Sequence, residues 1–193
     1  MKRDKTFLRK KFLLLRKKNY LKIKKFNFNF NLIFELIKKN FFKKKIIIAG
    51  YYPSNYEVDI IKFLEIATKR KFKVALPSIK SSNIMCFKTW SYKEPLYLNK
   101  YGILEPRKEN KEIIPDLIMV PLAAFDGKLN RIGYGKGYYD RSLKKNYKIK
   151  KKTISLGIAY SFQKYYSIPI KKHDFKLDYI FTERGIISSN NKL

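Results

Sequence analysis

Short runs of apolar residues alternate in this chain with longer segments whose apolar side chains recur at helical spacing. Residues 46–52, 72–76 and 117–121 are mostly apolar, which is typical of strands buried on both faces. Between the first two runs, residues 58–70 carry apolar side chains three and four positions apart, as one side of a helix does. This alternation predicts an α/β fold, a Rossmann-like three-layer sandwich around a largely parallel or mixed sheet in a single domain.

The remaining segments extend the same pattern. Amphipathic helices are predicted over residues 2–18 and 32–42, and a further helix over residues 137–145. Pro77 is expected to end the strand that precedes it. Further strands are predicted over 84–90, 153–159 and 179–182, an irregular segment over 92–111, and a solvated basic connector over 144–152. Residues 26–31, where Phe and Asn alternate, are ambiguous.

The whole chain, residues 1–193, is expected to form this one domain. Residues 1–45 would supply basic helices that pack on a core formed by residues 46–185. Within that core, the strand at residues 117–121 is expected to lead into a nucleotide loop at residues 131–140, and the strand at 179–182 is expected to be the last.

The net charge of +30 invites a nucleic-acid interpretation, but its source weakens that interpretation. The excess is carried by 37 lysines against 8 arginines, and Asn, Ile, Phe and Tyr are also abundant, as A/T-rich codons would produce in any protein. Nucleic acid is therefore an improbable partner. The single cysteine, Cys86, excludes an intramolecular disulfide, and no apolar run reaches membrane-spanning length. We expect a cytoplasmic monomer that binds no membrane.

The glycine-rich run at residues 131–140 is the strongest candidate for a ligand site. Three glycines at alternating positions allow the backbone to approach a ligand and to expose several N–H groups at the start of the next helix, where phosphate is favoured. The spacing is neither that of a Walker A loop nor that of a dinucleotide fingerprint, and a three-glycine turn can be purely structural. Asp140 suits either a helix cap or a Mg²⁺ ligand beside the phosphates.

Three other features are ambiguous on the residues alone. Glu57 follows a Pro-Ser-Asn turn and could be an ordinary carboxylate near a helix start. The pair His173-Asp174 is more typical of a surface turn than of a catalytic dyad. The pattern Lys5-x-x-Leu8-Arg9 lies in so basic a segment that composition alone predicts a solvated face.

Residues 116–121, 124–126 and 130–140, taken together, resemble the 5-formyltetrahydrofolate cyclo-ligase family (5,10-methenyltetrahydrofolate synthetases). The resemblance extends over nearly the whole chain in the family's order. Its other parts are residues 51–53, 57–59, 76–77, 85–87, 102–106, 157–160, Gln163, 168–169, 173–174, 177–178 and 182–183. It departs at Leu122-Ala123, where relatives often have Gly-Leu or Gly-Val, and at Lys136, where many have glycine.

The resemblance implies ATP-driven conversion of 5-formyltetrahydrofolate to 5,10-methenyltetrahydrofolate, with Mg²⁺ and with release of ADP and phosphate. It implies that Asp140 and Asp174 would bind the metal, that Arg131, Lys136 and Tyr138 would be catalytic, and that Tyr101 would lie over the folate. ATP would be bound by Lys5, Arg9, Arg131, Ile132, Gly133, Tyr134, Gly135, Lys136, Gly137, Tyr138 and Tyr139. The folate substrate would be bound by Tyr52, Glu57, Tyr134, Gly135, Lys136, Gly137 and Tyr138.

Two alternatives stay open at this point. A basic RNA-binding protein could retain this fold without the catalysis, and its affinity would then fall steeply with salt. An ATP-dependent enzyme of the same fold could act on a related pterin or formamide. The joint presence of Glu57, Asp140 and Asp174 favours the cyclo-ligase, because a binding module has no need of a metal pair.

Overall fold

The computed structural model describes residues 4–42, 45–81 and 84–189. Residues 2 and 3 of the first predicted helix, and the outermost residues of the predicted domain, lie outside these ranges. The helices are α1 (Lys5–Lys18), α2 (Tyr20–Ile23), α3 (Asn31–Asn40), α4 (Ile61–Lys69) and α5 (Tyr138–Ile149), with a 3-10 turn at Ser161–Gln163. The strands are β1 (Ile47–Ala49), β2 (Lys73–Ile79), β3 (Met85–Thr89), β4 (Tyr97–Leu98), β5 (Leu104–Glu105), β6 (Glu112–Ile113), β7 (Leu117–Pro121), β8 (Ala124–Phe125), β9 (Arg131–Ile132), β10 (Ile154–Ile158), β11 (Tyr179–Thr182) and β12 (Gly185–Ser188).

Eight of these strands form one sheet in the order β12-β11-β10-β7-β1-β2-β3-β6. The five strands from β11 to β2 are parallel to one another. Strand β12 pairs antiparallel with β11, β3 pairs antiparallel with β2, and β6 pairs antiparallel with β3. The pairs β4–β5 and β8–β9 form two separate antiparallel ribbons. The predicted α/β class with a largely parallel, mixed sheet is therefore confirmed.

Successive residues of the central strands face opposite sides of the sheet, and each side has its own core. Leu117 and Met119 of β7 join the cluster that contains Phe63 and Leu64 of α4 and several side chains of α3. Ile118 and Val120 join the opposite cluster, which contains Leu143 of α5. Because both faces are covered, the strands contain the continuous apolar runs seen in the sequence.

Helix α1 docks outside these two clusters, over the β8–β9 ribbon. Asp4 caps its first turn by accepting a hydrogen bond from the Phe7 N–H (2.7 Å). Leu8 and Phe12 are buried on its inner side. They pack in a third cluster with Ala123, Ala124, Ile132 and Ile168.

The strand order reverses between β1 and β7, which are neighbours in the sheet. From β1 the chain crosses through α4 to β2 on one side, and from β7 it crosses through α5 to β10 on the other. The segments that leave the carboxyl ends of β1 and β7 therefore separate and leave a crevice. In open parallel sheets, ligands bind at such a reversal point.

Pro77 does not end its strand as predicted, because β2 continues to Ile79. The Ala75 carbonyl accepts from the Gly50 N–H on the β1 side, and Ile79 N–H points to the same side. Pro77 therefore directs its nitrogen toward β1, whose paired residues end at Ala49. Its missing N–H therefore removes no hydrogen bond between strands, and a strand tolerates proline at such a position.

Several predicted boundaries are also wrong. Residues 46–52 are strand only over 47–49, and α5 extends to Ile149 into the predicted connector. The ribbon β8–β9 separates β7 from the glycine-rich loop, so the strand does not lead directly into it. Residues 92–111 contain β4 and β5, and β12 follows β11, which is expected to be the last strand. These elements have two to four residues, which is too short to give a clear period. None of the described helices combines the length and apolarity that a membrane crossing requires.

Gly157, in the middle of β10, should be sensitive to substitution. A Cβ placed there would lie 2.5 Å from Ile180, 2.7 Å from Leu177 and 2.8 Å from Leu122 side-chain atoms. We expect Gly157→Ala to lower the free energy of unfolding by about 1–3 kcal/mol, because overpacking forces neighbouring side chains to shift. Urea unfolding measures this. Gly127→Ala, whose Cβ would meet nothing within 4 Å, is the matched control and should change little.

Candidate active site

Three segments meet at the crevice between β1 and β7. One is the loop after β1, which contains Glu57. The second is the loop between β9 and α5, over residues 133–137, which we call the glycine loop. The third is the turn before β11, which contains Asp174. The reversal of strand order brings these segments together although they are far apart in sequence.

The glycine loop is held in place at its base by the turn of the β8–β9 ribbon. Buried Asp126 accepts hydrogen bonds through Oδ1 from the Lys128 and Asn130 N–H groups (both 3.0 Å). Its Oδ2 accepts from the Asn130 side-chain amide and from the Ile168 N–H (both 3.0 Å). A carboxylate with four donors fixes the turn that precedes Arg131.

Glycine is required at two positions of this loop. Gly135 has a φ of 96° and Gly137 a φ of 68°, in the left-handed region that other residues rarely adopt. Gly137 caps the N-terminus of α5. A Cβ on Gly135 would lie 3.2 Å from Cζ of Arg9, so the absent side chain also gives α1 its place against the loop.

Helix α1 is tied to the site by two cationic side chains. Arg9 Nε donates to the carbonyl of Gly133 (2.7 Å). Lys5 Nζ forms an ion pair with Asp174, which also accepts from the Lys171 N–H. Burial raises the pKa of Asp174, but the hydrogen bonds from Lys5 and Lys171 outweigh it, so the net pKa is below its usual value. Arg9 therefore faces the glycine loop and Lys5 faces Asp174, whereas composition alone predicts that both lie on a solvated face.

Arg131 and Asp140 form a largely buried ion pair across the base of the loop. Arg131 Nη2 donates to Asp140 Oδ1 at 2.7 Å, and the same oxygen accepts from the Phe175 N–H at 3.0 Å. Asp140 thus braces Arg131 and the turn next to Asp174, and its side chain does not cap α5. Arg131 Nε is buried and has no hydrogen-bond partner among the described residues, nor has the hydroxyl of Tyr139. Buried unpaired donors are costly, so they point to an absent acceptor.

Glu57 is buried where the Tyr134 side chain of the glycine loop ends. Its Oε2 accepts from the Ser54 N–H (2.8 Å), and its Oε1 accepts from the Tyr134 hydroxyl. Burial raises the pKa of Glu57, and the bonds from Tyr134 and Ser54 and the charge of Arg16 oppose that rise. A buried carboxylate with acceptor capacity left over suits a ligand that presents N–H donors.

The tyrosine that contacts Glu57 is itself held by α1. Arg16 Nη2 donates to the Tyr134 hydroxyl at 2.8 Å, and Arg16 Nη1 donates to the Leu122 carbonyl at 3.3 Å. Arg16 is only 1% exposed, which is unusual for arginine. Burial and the Glu57 charge raise the pKa of Tyr134, so it is a neutral hydroxyl.

A metal ion in this site would have few protein ligands. The described residues contain no group of three or more His, Cys, Asp or Glu side chains that could hold one. Asp140 and Asp174 are the carboxylates that pair with Arg131 and Lys5. Oxygen ligands suit Mg²⁺, which is usually held by one or two carboxylates and a substrate's phosphates. The donor set therefore fits a metal that arrives with a phosphate ligand and does not fit a fully protein-held metal.

A sequence model of the 5-formyltetrahydrofolate cyclo-ligase family matches residues 1–183. The chain belongs to this family. It is 34% identical over 138 residues to a probable 5-formyltetrahydrofolate cyclo-ligase of Schizosaccharomyces pombe, over 64% of this chain and 68% of that protein. It is 30% identical to the 5-formyltetrahydrofolate cyclo-ligase of Haemophilus influenzae, over 67% of this chain and 72% of that protein.

Solved structures of two 5,10-methenyltetrahydrofolate synthetases share the fold. That of Aquifex aeolicus has a TM-score of 0.74 and 29% identity, covering 98% of this chain and 94% of the other. That of Mycoplasma pneumoniae has a TM-score of 0.67 and 26% identity, covering 94% and 99%. These comparisons confirm both the predicted family resemblance and the fold class.

The structure brings together most of the residues that the family resemblance selects. Tyr52 is exposed after β1, and Tyr101 lies beside Tyr138, whose pKa is raised by burial and then by Tyr101. Lys136 is exposed, and its carbonyl accepts from Arg141 (2.8 Å). Ile132 differs from the rest, because its side chain is buried in the α1 cluster and its carbonyl is bonded to the Ala123 N–H. It could offer a ligand only backbone contacts.

Arg16 and the bracing role of Asp126 are not predicted from the sequence. Arg16 stands in a run of basic residues, so its type gave no signal. Its position on the helix face that carries Leu8 and Phe12 was the available clue. Asp126 could have been found from the Asp-to-Asn spacing of its turn, since such carboxylates commonly bind their own backbone two residues on.

The ion pair between Lys5 and Asp174 should contribute to stability in a pH-dependent way. We expect Asp174→Asn to lower the free energy of unfolding by about 1 kcal/mol at pH 7, as partly exposed pairs do. Because folding lowers the pKa of Asp174, its contribution is complete above the unfolded pKa of about 3.9 and is lost as the pH falls through the folded pKa.

Urea unfolding at pH 7 and at pH values down to about 3 measures this difference. Glu35→Gln, an exposed carboxylate on α3, removes the same charge without an ion pair. A loss that is equal in both variants, or that does not shrink at low pH, would contradict the assignment.

Proposed function

We propose that this protein closes the ring of 5-formyltetrahydrofolate to 5,10-methenyltetrahydrofolate, using ATP and Mg²⁺ and releasing ADP and phosphate. The observation that carries this proposal is that the site has unlike chemistry at its two ends. Arg9 and Arg131 lie against the backbone of the glycine loop at one end, and the Tyr134 side chain reaches the buried Glu57 carboxylate at the other. Such a site can hold an anionic phosphate donor beside a neutral ring rich in N–H groups.

At the cationic end, Lys5, Arg9 and Arg131 would bind the phosphates of ATP. The unpaired Nε of Arg131 supports this, since a phosphate oxygen is the acceptor that it lacks. The N-terminus of α5 lies directly after Gly137 and adds favourable backbone dipoles. Asp140 and Asp174 would hold the Mg²⁺ that accompanies the phosphates, which would supply charge neutralisation for phosphoryl transfer.

At the other end, Glu57 would accept hydrogen bonds from the amino and ring N–H groups of the pterin. Tyr52 lies on the same segment and offers an aromatic ring for contact with the pterin. Tyr101 lies beside Tyr138 and would offer a further aromatic ring on this side. The formyl group would then lie between the two ends, next to the γ-phosphate.

The chemistry needs this proximity because a formamide oxygen is a poor leaving group. The formyl oxygen would attack the γ-phosphorus, with cleavage of its bond to ADP, to give an imidate-like phosphate. N10 would then attack the formyl carbon and lose its proton, and phosphate would leave with the former formyl oxygen. Arg131, Lys136 and Tyr138 would stabilise the transferring phosphoryl group and hold the reactants in line. Residues of one chain supply every group named here, which supports action as a monomer.

The activity is tested by the absorbance of the methenyl product formed from 5-formyltetrahydrofolate. We expect it to appear with wild-type protein and to require both ATP and Mg²⁺. Asp140→Asn should lower kcat/KM by about 10²-fold or more, because it removes a metal ligand and releases Arg131. Glu65→Gln, a surface carboxylate paired with Lys69 on α4, is the matched control and should behave as wild type.

Wild-type protein that forms no product with both cosubstrates would refute the proposed activity. Product formation only from another pterin or formamide would assign the same chemistry to a different substrate.

Substitutions at the cationic end and at the Glu57 end of the site should affect the binding of different substrates. Arg9→Gln should raise KM for ATP about tenfold and leave KM for 5-formyltetrahydrofolate within about twofold, since a lost hydrogen bond to a charged group costs about 1.5–3 kcal/mol. Glu57→Gln should do the reverse. Initial-rate measurements with each substrate varied in turn give both constants. Equal changes in the two KM values for either variant would contradict the division.

A further inference from the structure

The chain from Arg16 through Tyr134 to Glu57 links α1 to the buried carboxylate. The Arg16 guanidinium donates to the Tyr134 hydroxyl and to the Leu122 carbonyl, and its Cζ lies 5.7 Å from the centre of the Tyr134 ring. The contacts of Arg16 are thus made with the glycine loop and with the segment after β7. Neither the family resemblance nor the proposed reaction assigns this arginine a role.

The direction of the hydrogen bonds in this chain is fixed by chemistry. Arginine carries donors and no acceptor, so the Tyr134 oxygen must accept from Arg16 Nη2. The one proton of that hydroxyl is then directed to Oε1 of Glu57. A carboxyl oxygen that receives this proton must itself act as an acceptor. Because Oε2 accepts from the Ser54 N–H as well, both oxygens of Glu57 are used as acceptors, which suits the ionised form. Without Arg16, the same hydroxyl could instead accept a bond from a protonated Glu57.

We propose that Arg16 is a positioning residue, which acts through the Tyr134 hydroxyl to keep the buried Glu57 carboxyl ionised and oriented to accept hydrogen bonds from a bound ring. The contacts stand on the structure alone, whereas the identity of the ring as a pterin rests on the proposed function.

The surroundings of Glu57 explain why this role is needed. The carboxyl lies among neutral groups, so burial favours its protonated form, and the charge of Arg16 opposes that effect. Removal of the arginine leaves a buried carboxylate with neutral donors only, which raises its pKa further. The titratable and charged groups around it, including those one shell further out, are Tyr51, Tyr134, Tyr139, Tyr160, Arg16, Asp59, Arg131 and Glu183.

The first test is the pH dependence of kcat/KM for 5-formyltetrahydrofolate in wild type, Arg16→Gln and Tyr134→Phe. We expect the acidic limb to move to higher pH by about one pH unit in both variants, so that the loss reaches about tenfold on that limb and disappears on the plateau above it. Tyr134→Phe keeps the ring and breaks the chain at its other link. Lys17→Gln, an exposed neighbour on α1, removes the same charge and should follow wild type.

A purely structural role for Arg16 gives a different result. Loosening of α1 would lower kcat/KM at every pH and would raise KM for ATP, because Lys5 and Arg9 lie on the same helix. Acidic limbs that coincide with wild type in both variants would overturn the proposal. Two further measurements bear on it. The double variant should lose no more than either single variant, since each breaks the same chain, and Arg16→Lys should restore part of the wild-type profile.

The second test does not depend on catalysis. The Glu57 carboxyl can be followed by carbon NMR across a pH titration of the free protein, with Glu57→Gln identifying its signal. We expect it to titrate at higher pH in Arg16→Gln than in wild type, and an unchanged titration would overturn the proposal. A shifted titration in a protein that forms no methenyl product would refute the proposed function and leave the role of Arg16 standing.

Discussion

The reversal of strand order between β1 and β7 is the constraint on which the site depends. Crossovers between parallel strands leave a sheet at the carboxyl ends, so two neighbouring strands that cross in opposite directions leave a crevice between their exits. Glu57 leaves from one strand and the glycine loop follows the other. Neither segment could form the site alone, because the carboxylate and the loop are separated by about half the domain in sequence and meet only through the sheet.

The two ends of the crevice differ because different partners reach them. The cationic end is built by Arg131, which is braced by Asp140, and by the side chains that α1 brings to the loop. The opposite end is built by burial: Glu57 is enclosed by tyrosines and by the turn at Ser54. An exposed carboxylate at the same place would be ionised without help. Enclosure makes it a strong acceptor for a ligand, but only when other groups oppose the protonation that burial favours.

Most of the fold could be predicted from the sequence, because buried parallel strands and amphipathic helices leave strong periodic patterns. Residues 117–121 matched β7, and the class of the sheet followed from the alternation. The failures have physical causes. Pro77 is predicted to end its strand because a missing N–H usually breaks the hydrogen bonds of a sheet. In the structure it faces the side of β2 on which the pairing with β1 has already ended. The short strands β6 and β12 lie at the sheet edges, where few residues are buried and no clear period develops.

The candidate site was less predictable in its cations than in its carboxylates. In a chain with 37 lysines, the type of a basic residue says little, but its position on a helix says more. At about 100° per residue, Lys5, Arg9 and Arg16 lie within roughly 40° of one another, on the same side as Leu8 and Phe12. A cation on the apolar face of an amphipathic helix must find an acceptor or a charge beneath it. These three find Asp174, the Gly133 carbonyl and the Tyr134 hydroxyl. Charge on the buried face, rather than total charge, therefore separates the basic residues that build this site from those that only face solvent.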